Sequence, residues 1–324
     1  MARTIVGVLR GGTSSEYDLS LKTGAAILQA LPEERYDTRD IFIDKRGIWH
    51  SRGMPTSAPR ALQQVDVVLN ALHGGMGEDG TVQRFLDSTG IPYAGSGALA
   101  TSSSLNKHRA HDILAAAGIR MPSYEVFSLE DDLDTGQMAR IVFSKFAPPY
   151  VVKPAREGAS NGIRIAENLL DLPDAIADVL DAYSTALVEE FIRGEQVSAG
   201  VIEAFRNEDF YVLPPSHQKL PAGARYIETS YHHEASLDHV VPTHFSHEEK
   251  QAIADIARKA HQALGMEHFS RADMIKTPRT IYLLEVNAIP GLYPGASFPP
   301  MLESVGSSVP EFLEHAIQLA RSGR

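Results

Sequence analysis

The sequence has 324 residues, more than one average domain, so two or three packed lobes sharing a sizeable core are expected. Its 43 % hydrophobic and 22 % charged residues are ordinary for a globular protein and exclude disordered, collagen-like or disulfide-scaffold chains. A formal net charge of -11 weighs against nucleic-acid or anionic-membrane partners, and the absence of cysteine excludes disulfides, thiolate metal sites and Cys nucleophiles.

Thr4–Leu9 reads as a short apolar strand ending in Gly-Gly, without the longer apolar region or cleavage site of a signal peptide. No run reaches the roughly 20 apolar residues that cross a bilayer, so a cytoplasmic location is expected. A helix at Ser20–Leu31, strands at Arg39–Ile43 and Val65–Ala71, and a second Gly-rich turn follow. This alternation predicts an N-terminal parallel sheet with crossover helices, whose ligands bind at the carboxyl ends of strands, where both turns fall.

From Asn106 a helix to about Ala117 leads to strand Tyr124–Phe127, an acidic helical stretch around Glu130–Phe143, strand Tyr150–Lys153, the loop Ala155–Gly162 and strand Ile163–Ala166. These elements predict a small α+β lobe with a Gly-rich flap. Strands Leu187–Phe191 and Gln196–Ala204 flank an Arg-Gly turn, and Leu213–Phe245 has no clean period, which predicts a long functional loop. Ser246 and Glu249 form a capping box for a helix to Leu264, before strands Ala272–Lys276 and Thr280–Val286.

Strand alternation puts Glu285 and Asn287 on one face. With Asp273 on the neighbouring strand they make an oxygen-donor set suited to a hard divalent cation such as magnesium. Glu285 interrupts an otherwise apolar strand, where a carboxylate without a cation or donor would be costly. Arg271 faces the same way as Asp273, and the turn after Asn287 can offer the Gly291 amide to a developing negative charge.

Lys153 ends a strand before Gly158-Ala159-Ser160-Asn161-Gly162, an arrangement that can surround phosphate oxygens, although taken alone a surface hairpin explains it as well. No GxxxxGK[ST] element is present. His73 to Gly80 forms a Gly-rich turn after an apolar strand, whose glycines let the backbone approach a ligand closely, and Gly11 to Glu16 forms another, which lacks the GxGxxG of a dinucleotide fingerprint. Glu16 alone would be no more than an acid at a helix N-terminus, worth at most about 1 kcal/mol.

Taken in order, GGTSSE at 11–16, LHGGMGEDGTVQ at 72–83, IPYAGSGALA at 91–100, NK at 106–107, VVKPAREG at 151–158, VEEFI at 188–192, SRAD at 270–273 and YLLEVNAIPGL at 282–292 resemble the D-alanine-D-alanine ligases of the ATP-grasp superfamily over nearly the whole chain. The resemblance implies an α/β and α+β fold of three lobes: an N-terminal parallel α/β substrate lobe at 1–105, a central lobe at 106–192, and a C-terminal lobe at 193–324 with metal site and lid. It implies ATP and magnesium, with manganese as a substitute and two ions per site. Its partners would be small amino acids and a second copy of the chain, with no nucleic acid and no membrane.

By the same resemblance Lys107 and Lys153 match phosphate-contacting lysines. Glu189 begins the strand that meets adenine, where Phe191 and Ile192 add contacts, and Gln196 falls at a ribose-binding position. Asp273, Glu285 and Asn287 match the metal ligands, Arg271 and Gly291 the oxyanion donors, and Glu16 the holder of the first ammonium group. His73 and Glu78 match positions near that substrate, and Tyr231 matches a tyrosine that closes over the site. The flap has Ala159 in place of its first serine but keeps Ser160. Ser230 replaces a lysine, and Ala296 replaces the serine for the second carboxylate, with Ser297 adjacent.

The implied activity is D-alanyl-D-alanine synthesis through an acyl phosphate, for peptidoglycan precursors. The departures leave two alternatives: a ligase joining other amino or hydroxy acids, or a nucleotide-binding homologue with impaired catalysis. A zinc site at His232-His233-Glu234 is disfavoured, because adjacent histidines on one loop point apart.

Overall fold

The computed structural model describes residues 3–158, 160–218 and 239–323. Ala159, Ser230, Tyr231 and the His232-His233-Glu234 run therefore lie outside the described residues.

Three sheets follow one another along the chain. The first holds β1 (Thr4–Gly11), β2 (Tyr36–Ile43), β3 (Trp49–Ser51), β4 (Met54–Thr56), β5 (Val67–Asn70) and β6 (Tyr93–Ala94) in the order β4-β3-β2-β1-β5-β6. β1 pairs in parallel with β2 and β5, and β5 with β6, so the expected parallel core is present. β3 and β4 add an antiparallel edge that strands of three residues were too short to announce. Val6, Val8 and Leu9 are fully buried, because helices α1 (Tyr17–Ala30), α2 (Ala58–Ala61) and α3 (Thr81–Thr89) cover a sheet whose central strand is apolar on both faces.

Helices α4 (Ala98–Leu105) and α5 (Lys107–Ala116) lead out of this lobe, with the Asn106 side chain accepting the Arg109 amide proton as the cap of α5. The second sheet runs β7 (Tyr124–Ser128), β10 (Thr185–Glu190), β8 (Tyr150–Pro154), β9 (Arg164–Ala166), antiparallel throughout. Helices α6 (Thr135–Lys145) and α7 (Leu172–Tyr183) share its core with Tyr150, Val152 and Val188. The acidic stretch 130–134 precedes α6 rather than forming it: Asp134 and Gln137 make a capping box, and acids before a helix complement its positive end.

The third sheet is built on β11 (Glu195–Phe205), flanked by β12 (Glu208–Val212) and β13 (Ser216–Gln218), with β14 (His239–Val240) beyond β13 and β15 (Phe269–Lys276) and β16 (Ile281–Asn287) on the other side. The span expected to be one long loop thus contains β13 and β14, which are short and carry no period that a sequence window can detect. Helix α8 (His247–Ala263) has the expected Ser246–Glu249 capping box and packs on one face of this sheet together with α5.

Helices α9 (Phe298–Glu303) and α10 (Val309–Ser322) return to the first sheet. Phe312, Leu313, Ala316, Ile317 and Ala320 form the apolar stripe of α10 and share one core with Val6, Val8, Ile27 and Leu69. Residues at the two ends of the chain therefore bury each other.

Candidate active site

On β15 and β16, Asp273 stands opposite Glu285 and Arg271 opposite Asn287. Period-2 alternation on both strands puts all four on one face, and the register shifts between Asp273 and Met274, just beyond the set. Asp273 accepts four hydrogen bonds: from Arg271 Nε at 2.9 Å and its second guanidinium nitrogen at 2.7 Å, from Asn287 Nδ2 at 2.8 Å and from Ser198 Oγ at 2.7 Å. A carboxylate has about four lone-pair sites, so a cation reaches Asp273 only by displacing one of these donors. The donor set itself, two carboxylates and an amide oxygen, has the chemistry of a magnesium site.

Cations crowd the same place. Lys107 Nζ lies 3.5 Å from Glu285 Oε2 and donates to the Glu157 carbonyl at 2.6 Å. Burial pushes the Glu285 carboxyl up, but Lys107, Lys153 and Arg271 together outweigh it and hold the group below its ordinary value. Lys153, on β8, meets Glu189, on β10, at 2.6 Å, with both side chains 8 % exposed. Glu189 thus lies at the end of β10, not its beginning as expected, and its carboxylate is occupied by Lys153.

These groups surround a cavity of about 820 Å³ between the second and third sheets. Lys107, Lys153, Ser160, Glu189, Phe191, Ile192, Gln196, Arg271, Asp273, Glu285 and Ser297 all line it. Ser160 has a left-handed φ of 60°, the tight bend of the flap. Asn287 stands behind Asp273, outside the lining, and Gly291 packs so closely beneath Tyr293 that a Cβ there would lie 2.8 Å from the ring.

Glu16, His73 and Glu78 gather behind the flap at the carboxyl ends of β1 and β5, where parallel sheets place their ligands. Burial pushes Glu16 up to about 8, and the charges of Glu78, Glu285 and Glu157 add to it against Lys107. Burial also raises Glu78 to about 7, although its carboxylate accepts the Gly74 amide proton at 2.7 Å. His73 is pushed down to about 4 by burial and by Arg271, so it is neutral at pH 7, with Nε2 2.7 Å from Thr23 Oγ1. The flap closes on this group: Ser15 Oγ donates to Glu157 Oε2 at 2.7 Å, Asn161 Nδ2 donates to Ser15 Oγ at 3.1 Å, and a Cβ on Gly158 would lie 2.4 Å from Glu16 Oε1.

Sequence reasoning missed Ser198, Glu157 and Tyr293. Alternation from Gln196 along β11 would have pointed to Ser198. Nothing local marks Tyr293, which lines the cavity and whose hydroxyl is pushed up by burial, with Arg271 opposing and Glu16 adding to the shift.

A family model described as D-ala D-ala ligase C-terminus matches residues 113–318, and one described as D-ala D-ala ligase N-terminus matches residues 50–96. The chain belongs to the D-alanine-D-alanine ligase family. It is 34 % identical over 319 residues to a D-alanine-D-alanine ligase of Desulforudis audaxviator, covering 98 % of both chains. Among solved structures this ligase is similar to the VanG D-Ala:D-Ser ligase of Enterococcus faecalis (27 % identity, TM-score 0.83, 98 % of this chain and 100 % of that one). It is similar also to the Bacillus anthracis D-alanine-D-alanine ligase complexed with ATP (25 % identity, TM-score 0.79, 99 % of each chain). The expected multi-lobed ATP-grasp fold is present, and the chain is an ATP-dependent carboxylate-amine ligase. No helix among the described residues is long and apolar enough to cross a membrane.

Proposed function

We propose that this ligase condenses two D-alanines to D-alanyl-D-alanine for peptidoglycan precursors, in the cytoplasm and as a homodimer, with lobes at 1–105, 106–192 and 193–324. What supports this activity is one convergence: Lys107, Lys153 and Arg271 gather around Asp273 and Glu285 at one cavity, with Glu16 and Glu78 buried behind its flap.

Lys107 and Lys153 contact the phosphates of ATP, while Phe191, Ile192 and Gln196 border the nucleotide. Asp273, Glu285 and Asn287 would hold magnesium, which when bound neutralises phosphate charge. Glu16 and Glu78 repel each other, and the ammonium of the first amino acid relieves that repulsion, which fixes the substrate with its carboxylate toward the lysines. A carboxylate oxygen attacks the γ-phosphorus as the bond to ADP breaks, giving an acyl phosphate. The amine of the second amino acid then attacks the acyl carbon, Arg271 and the Gly291 amide stabilise the oxyanion, and inorganic phosphate leaves. The flap over Glu16, with Ser160 in its bend, excludes water from the acyl phosphate. Tyr231, outside the described residues, would complete that closure.

ADP release measured with each of a panel of D- and L-amino acids tests the reading: strong stimulation by D-alanine alone is expected, and silence with D-alanine overturns it. Ala296, buried where the resemblance places a serine, favours a second reading in which the acceptor is another amino acid. Stimulation by D-alanine only together with a different acceptor would select it.

A further inference from the structure

On the third sheet, the side chains that face away from the nucleotide cavity form a second polar cluster. Gln196 and Gln218 line the cavity, so their neighbours Glu195 and His217 point to the opposite face, toward the segment that leads into α8. There His244 Nε2 lies 3.0 Å and His217 Nε2 3.5 Å from the same oxygen, Glu195 Oε2. Among the described residues this is the one group of three His, Asp or Glu side chains whose ligand atoms all lie within 4.8 Å of one another.

We propose that Glu195, His217 and His244 form a site for a divalent transition metal of zinc type, separate from the magnesium set. Zinc binds imidazole nitrogen and carboxylate oxygen at about 2.0 to 2.2 Å, which in a tetrahedron sets ligand atoms about 3.4 Å apart. Both measured separations to Glu195 Oε2 fall near that value. Two imidazoles and one carboxylate leave a fourth position, and His244, with a 63 % exposed side chain, opens that position to solvent. Magnesium does not compete, because it takes oxygen ligands, and the cluster offers one carboxylate.

The surroundings hold the ligands in place. Glu195 turns its other oxygen, Oε1, to Lys276 Nζ at 3.7 Å, which leaves Oε2 for the imidazoles. Lys276 in turn pairs with Glu249 of α8 at 2.9 Å. His217 and His244 rings stack edge to face, and each also meets Phe245. Carboxylate and cation partners of this kind fix ligand orientation in metal sites. The bound ion would tie the start of β11 to β13 and to the residues after β14, the two strands that flank residues 219–238. The site would therefore act on the frame of the cavity rather than on the reacting atoms.

Isothermal titration of the chelator-stripped full-length protein with zinc chloride, in buffer holding excess magnesium, tests the site. One equivalent of zinc is expected to bind, with the melting temperature rising on addition. His244→Ala, at an exposed position, and Glu195→Gln should each weaken that binding about tenfold or more while circular dichroism shows the fold intact. Glu285→Gln should leave it unchanged. Absence of zinc binding by the wild-type protein, or binding that survives both His244→Ala and Glu195→Gln undiminished, overturns the proposal. An anomalous-scattering peak at the zinc edge anywhere other than between these three side chains overturns it as well.

Discussion

Replacing Lys153 by Met separates two roles that one ammonium group plays. Lys153 and Glu189 form an ion pair whose side chains are each 8 % exposed, so removing the cation strands a buried carboxylate. Breaking a buried pair from one side costs about 3 to 5 kcal/mol, whereas replacing both partners by apolar groups of similar size costs little. Lys153→Met should therefore lower the melting temperature by several degrees, and adding Glu189→Leu should recover most of the loss. Nucleotide binding behaves differently, since the charge-assisted bond from Lys153 to a phosphate, about 1.5 to 3 kcal/mol or roughly 10- to 150-fold in affinity, is absent from both variants. Thermal denaturation and calorimetric titration with a non-hydrolysable ATP analogue read the two effects independently. Recovery of nucleotide affinity in the double variant would show that Lys153 acts only through the fold, and a cost under about 1 kcal/mol in the single variant would refute the buried pair.

Glu285→Gln should reduce turnover by two orders of magnitude or more at saturating ATP and magnesium, since it removes a negative donor from the cation set; undiminished turnover in steady-state assays would end that assignment. The raised acids give a pH signature. Burial lifts Glu16 from an ordinary 4.5 to about 8, so the folded protein holds a proton that the unfolded chain releases, and stability falls as pH climbs through that window. Denaturant titrations from pH 5 to 8 should show a steeper decline for the wild type than for Glu16→Gln; parallel curves would contradict it. The Michaelis constant for the first amino acid should fall over the same range as Glu16 and Glu78 ionise, and a flat profile would deny them the ammonium. Gly158→Ala sets a methyl group 2.4 Å from Glu16 Oε1, so the Glu16 carboxylate or the flap must shift, and turnover should drop about tenfold with little change in melting temperature, because overpacking of about 1 to 3 kcal/mol is relieved by moving a side-chain end or a loop.

Much of the site could be read from the chain because it is built on strands, whose alternation fixes which side chains share a face. Asp273, Glu285, Asn287 and Arg271 come together for that reason, and Ser198 was within reach of the same rule. The capping box at Ser246 was legible because its two bonds span three residues. Contacts between distant segments leave no such mark. Neither Ser15 with Glu157 nor Lys107 with the Glu157 carbonyl has a local signature, and the packing of α10 on the first sheet joins residues nearly a chain length apart. The β3–β4 hairpin and strands β13 and β14 escaped because two or three residues cannot display a period. Alternation sets Glu195 on the face opposite Gln196, but only the sheet order brings it to His217 and His244.

The placement of α10 carries a consequence for biosynthesis. Its Phe312 and Ile317 complete the apolar interior begun by Val6 and Ile27, so a nascent N-terminal lobe emerges from the ribosome with one side uncovered and stays so until α10 (Val309–Ser322) has followed it. The central lobe, whose interior among the described residues draws on residues 127–188, has no such wait. A stop codon before α10 would accordingly yield a chain prone to chaperone capture and degradation, with its catalytic side chains all still encoded.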